Sequence, residues 1–182
     1  VIEQILYDED PMLRNYAVGS LRFFDNPEVV ELLIAALKDS FWRVRINAAA
    51  GLGELQAVRA VPILTFKAEK DPEMNVRLEA VRALGNIADA QSLEALRGFY
   101  INELTPPGLR VESARILAEK DIEQSVGLFR KVIAKHWGND RTRILERTAQ
   151  ILSKTESDLL DSLYARFLES GDIIVMIYGI RG

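Results

Sequence analysis

The 182-residue chain is 48% apolar and 27% charged, with a formal net charge of −4. That balance suits one globular domain with a substantial core, and does not suit a molecule built as a whole to attract nucleic acid. There is no cysteine, and no apolar run reaches the length of a membrane-spanning helix; disulfides, thiolate metal sites, cysteine nucleophiles and membrane insertion are therefore not expected.

The opening, "VIEQILYDED", lacks the basic start and long apolar stretch of a signal peptide. The first predicted helix lies in "DEDPMLRNYAVGSL", Asp8 to Leu21, and the second in "NPEVVELLIAALKD". The third, Asp39 to Leu55, places Val44, Ala48, Leu52 and Leu55 at the spacing of one apolar helix face. "AVRAVPILTFKAEKD" follows, with Pro62 predicting a kink or a late start. Asp71 to Ile87 then repeats the third helix, with Val76, Ala80, Leu84 and Ile87 in the same slots. Asp39 and Asp71 stand just ahead of these helices, where an aspartate can cap free N–H groups, and Pro72 suits a first turn.

"AQSLEALRGFYINEL" comes next, then "TPPGLRVESARIL", Thr105 to Leu117, opened by the stiff turn Pro106-Pro107. "IEQSVGLFRKVIAKHW", "DRTRILERTAQIL" and "ESDLLDSLYARFLES" complete the series, and Ile173 to Ile177 begin one more apolar helix. An arginine recurs at 14, 45, 77 and 110, with Leu145 at the following slot; the steps are 31, 32, 33 and 35 residues. A step of that size is two helices and two short turns, which predicts an all-α fold: an α-solenoid, a right-handed superhelix of about five to six helical hairpins. Gly53 and Gly85 are predicted C-caps or close-packing points. The expected organisation is one repeat domain over residues 1–182, cut from a longer chain because "DIIVMIYGIRG" stops inside an apolar run.

Asp39, Val44, Arg45, Ala48, Leu52 and Gly53, with Asp71, Val76, Arg77, Ala80, Leu84 and Gly85, resemble the HEAT-repeat family, in its short, phycobilisome-lyase-type variety. The resemblance implies that the Asp-to-Arg helix is the inner, concave one. It also implies a structural ladder between turns, made of Asp8, Arg14, Asp39, Arg45, Asp71, Arg77 and Arg110. The alternative for the arginines is an anion-binding array.

The chemistry of catalysis is thin. His136 is the single histidine and has no second histidine or cysteine to share a metal. An iron hydroxylase built of similar repeats uses several His-Glu pairs, and none occurs here. The carboxylate groups Asp8, Glu9 and Asp10, and Glu69 and Asp71, are explained as solvated residues of helix junctions. There is no phosphate loop, nucleophile elbow or H-E-x-x-H. No catalytic residue, metal or cofactor is expected.

The helix faces turned away from the apolar stripe are the better candidates. They carry Tyr16 and Phe23; Arg43, Asn47 and Glu54; Asn75, Glu79, Arg82 and Asn86; Glu112 and Arg115; Arg143 and Arg147. A surface that is polar, mixed in charge and tipped with aromatics suits a protein or peptide. The leading expectation is a non-enzymatic binding scaffold, with the cytoplasm as its compartment. The resemblance adds an alternative, an accessory factor of bilin lyase type. A third reading, nucleic-acid binding, draws on Arg130 to Arg147, where six cations face Asp140 and Glu146; that patch is local in an acidic chain and is disfavoured.

Overall fold

Apolar residues three and four apart, punctuated by Asp, Asn and Pro, build short helices that cannot bury their stripes alone and so must stack. The computed structural model describes residues 6–24, 26–139 and 141–182. Among these residues there are eleven α-helices, two short 3-10 turns and no strand, and no helix is long and apolar enough to cross a membrane. The contacts gather into two compact units, Val1–Leu93 and Glu94–Gly182.

In the first unit, α1 (Pro11–Leu21) and α2 (Pro27–Ala36) start at side-chain caps. Asp10 accepts the Met12 N–H at 2.8 Å and Asn26 accepts the Glu28 N–H at 2.9 Å. α3 (Trp42–Glu54) and α5 (Met74–Ile87) depart from the sequence expectation: their N-cap residues are Phe41 and Glu73, without a side-chain cap. Asp39 and Asp71 sit two residues earlier and accept the N–H groups of Phe41 and Glu73, so each closes a tight turn ahead of the helix rather than capping its first turn. Pro72 belongs to that turn, not to the helix. Pro62 causes a late start. A 3-10 turn at Val58–Ala60 leads into α4 (Val61–Lys70), where the proline lies in the first turn and its missing N–H has no helical partner to lose.

Helices α1, α3 and α5 pack side by side, while α2 packs on α1 and α3, and α4 on α5. Val44, Ala48, Leu52, Val76, Ala80 and Leu84 are all buried. Gly53 is a close-packing point: a Cβ there would come within 2.7 Å of the Ala83 Cα. Neither Gly53 nor Gly85 is a C-cap. α3 ends on Leu55, and α5 on Ala88 in the left-handed region at φ 50°.

α6 (Ala90–Ile101) begins in the first unit and ends in the second. The second unit continues with α7 (Pro107–Lys120), α8 (Ile122–His136), α9 (Ile144–Leu152), a 3-10 turn at Asp158–Leu160, α10 (Asp161–Leu168) and α11 (Ile173–Arg181). Pro106 and Pro107 are the N-cap and first residue of α7. The order of packing is the same: α7 on α9, α9 on α11, with α8 and α10 as the other members of their hairpins. The core centres on Leu96, Tyr100, Leu117, Phe129, Ile133 and Phe167. The main contacts within each unit thus run between neighbours along the chain, the nearest-neighbour packing of an α-solenoid.

Candidate functional site

Two arginine slots hold an aspartate from the next turn by the same four-atom fork. Arg14 Nε and Nη2 donate to Asp39 Oδ2 and Oδ1 at 2.7 and 2.9 Å, while Nη1 donates to the carbonyls of Asp8 and Glu9 at 2.8 and 3.2 Å. Arg45 repeats it on Asp71 at 2.9 and 2.8 Å, with the carbonyls of Asp39 and Ser40 at 2.9 and 3.2 Å. Lys67 Nζ adds a contact to Asp71 Oδ2 at 3.1 Å. The fork is the strong, bidentate form of the pair.

These pairs are structural by their burial. The Asp71 side chain is fully buried and that of Arg45 is 8% exposed. Asp71 is therefore not a solvated junction residue, as its sequence position suggests; the fork of Arg45 removes it from water. Burial alone would raise the Asp71 pKa, but the hydrogen bonds of Arg45, the Glu73 N–H and Lys67 outweigh it and hold the carboxyl below its ordinary range. Asp39 is held below that range first by its hydrogen bond to Arg14, and Arg14 is raised in return. Asp8 takes a different part: its carbonyl receives Arg14, and its carboxylate accepts the Asp10 N–H at 2.9 Å.

Arg77 and Arg110 sit in the arginine slots of turns whose following stretch has no Asp in register among the described residues. Both turn Nε to a carbonyl near the end of the preceding helix, Arg77 to Ala68 at 2.8 Å and Arg110 to Tyr100 at 2.9 Å. There they satisfy carbonyls that a helix end leaves open. The next slot's turn begins at Asp140, which lies outside the described residues.

The candidate ridge is exposed. In the first unit, Tyr16 and Phe23 are 67% and 77% exposed, and Arg43, Asn75, Arg82 and Asn86 are also exposed. Arg43 lies 5.1 Å over the Trp42 ring. Asn47 donates to Asn15 Oδ1 at 3.0 Å, and Glu54 accepts from Arg22 at 2.9 Å, so both tie α3 to α1. Glu79 is paired with Arg82 at 3.4 Å. In the second unit, Arg115 is held by Glu112 at 2.9 Å and Glu119 at 3.1 Å, Arg143 is held by Glu146 at 2.7 Å, and Arg147 is exposed. Arg82, Arg115 and Arg143 are therefore each paired with a carboxylate three or four residues away along the chain. The sequence reading named one member of several pairs, missed Asn15, Arg22 and Glu119, and did not join Glu146 to Arg143. For Glu119 and Glu146 the signal was present as opposite charges three or four residues apart, whereas Asn15 and Arg22 lie 32 residues from their partners.

In the basic segment, several cations have partners of their own. Arg130 donates to the Leu159 carbonyl and to Ser162 Oγ, Lys135 pairs with Glu103 at 2.8 Å, and Arg143 with Glu146. His136 is the last residue of α8 and mostly buried, 3.9 Å from Glu103. Sequence reasoning also missed Arg97, which donates to Asp121 at 3.0 and 2.5 Å; Ser125 Oγ donates to the same carboxylate at 2.7 Å. No group of acidic and histidine side chains able to hold a metal occurs among the described residues. A groove of about 540 Å³ in the second unit is lined by apolar Ala118, Ile122 and Ile151 and by charged Arg115, Glu119 and Lys154.

Residues 1–66 match HEAT repeats, and residues 76–100 match the PBS lyase HEAT-like repeat. No curated protein matches the chain. Among solved structures, the chain is similar to the complex of CpcE and CpcF of phycocyanin lyase from Nostoc sp. PCC7120, at 23% identity and a TM-score of 0.60, over 98% of this chain and 73% of that one. It is also similar to an engineered protein, at 21% identity and a TM-score of 0.57, over 99% of this chain and 92% of that one. At these identities the likeness is one of fold.

Proposed function

We propose, from the premise that this chain is a HEAT-repeat protein whose repeats include the phycobilisome-lyase type, that it is a non-catalytic module that binds another protein through the exposed ridge of α3 and α5. The observation that carries this reading is the rigidity beneath the ridge. Arg45 grips Asp71 with two hydrogen bonds, and Gly53 lets α3 approach α5 at Ala83. Arg43, Asn75, Arg82 and Asn86 therefore project from two helices whose spacing is already fixed. A preset surface loses less conformational freedom on association, so modest contacts suffice. The close approach of Gly53 on α3 to Ala83 on α5 supports reading this layer as the inner side of the stack.

A second reading belongs to the same surface class: the chain assists a lyase acting on a bilin-bearing protein. It is supported by the PBS lyase-type repeat at residues 76–100 and by likeness to a phycocyanin lyase subunit that was solved in complex with another protein. The groove of the second unit offers that reading a place for a small amphipathic molecule.

One experiment addresses both. The chain is cross-linked to its captured partner and the links are mapped, and free bilin is added to the purified chain in a parallel cuvette. Links concentrated on α3 and α5, abolished in an Asn75→Arg/Glu79→Arg variant of unchanged helicity, are the expected result. Equal capture by both proteins overturns the choice of ridge. A shift of the bilin absorbance favours the lyase-assisting role, and an unchanged spectrum removes it.

A further inference from the structure

We draw no further inference here: the strongest candidate, the exposed isoleucine face of α11 formed by Ile173, Ile177 and Ile180, is an unpartnered apolar helix face, and nothing in the structure shows what covers it.

Discussion

The two units solve the same packing problem with different fastenings. In the first, one bond is repeated: Arg14 to Asp39 and Arg45 to Asp71, each with a guanidinium fork across two turns. In the second, the polar contacts are irregular. Tyr100 shares a hydrogen bond with Thr148 at 3.1 Å while its ring meets Phe129 at 5.3 Å; Arg97 holds Asp121; the Tyr164 hydroxyl donates to the carbonyls of Leu152 and Thr155 at 2.8 Å. Burial, with Asp161 nearby, pushes the Tyr164 pKa up. The contrast shows that the aspartate, not the arginine, decides whether a rung forms. At Arg77, whose following stretch carries no aspartate in register, the arginine stays in place and donates to the Ala68 carbonyl.

That contrast can be broken at its strongest point. Replacing Asp71 with Ala leaves the buried Arg45 fork without its carboxylate, and loss of one partner of a buried pair costs about 3–5 kcal/mol. Urea denaturation of Asp71→Ala is expected to shift by that amount; a change below about 1 kcal/mol, the range of an exposed pair, would mean the rung is only surface decoration. Gly53→Val tests the packing beneath it. Its Cβ meets backbone at Ala83, so the helices must part, at a cost of about 1–3 kcal/mol. A tolerated valine would show that α3 and α5 are not in close contact.

Acid sharpens the comparison further. Asp39 and Asp71 have folded-state pKa values below the ordinary carboxylate value. Their contribution is therefore complete above the unfolded value of about 4 and is lost as pH falls from there through the folded values. Urea midpoints measured from pH 6 to pH 3 should fall, and the fall should be shallower in Asp71→Asn than in the parent protein. Identical slopes would contradict the assignment. In the second unit, Tyr100→Phe removes the hydrogen bond to Thr148, which stays buried without it, an expected loss of about 1–2 kcal/mol. The smallest effect is on the ridge. Arg82→Ala touches an exposed side chain and is expected to change stability by under about 0.5 kcal/mol while weakening partner capture, which separates binding from folding.

The repeat itself was legible in the sequence because the slots of Val44, Arg45, Ala48 and Leu52 return at Val76, Arg77, Ala80 and Leu84. The late start at Pro62 was legible too, since proline there has one cheap position. What escaped was geometry that depends on a turn. Asp39 and Asp71 look like helix caps by position, but their carboxylates reach only two residues on, to Phe41 and Glu73, and the helix begins beyond them. Asp71 looks like a solvated junction because its neighbours Pro72 and Glu73 are exposed, and only the reach of Arg45 from the previous turn shows otherwise. Arg97 and Asp121 lie outside the repeated slots, so no periodicity could join them. On the ridge, exposure followed from the apolar stripe, whereas internal neutralisation followed from which rotamers find a partner, as with Arg115 between Glu112 and Glu119.

Each rung has a direction: the donor sits in one copy and the acceptor in the copy that follows. Excising the segment from Asp39 through Lys70 would bring Asp71 into the place Asp39 had occupied, opposite Arg14. The seam left by losing that copy is therefore made of the same two chemical ends as the seam it replaces. Over these two rungs, the stack can lose or gain a copy without inventing a new joint.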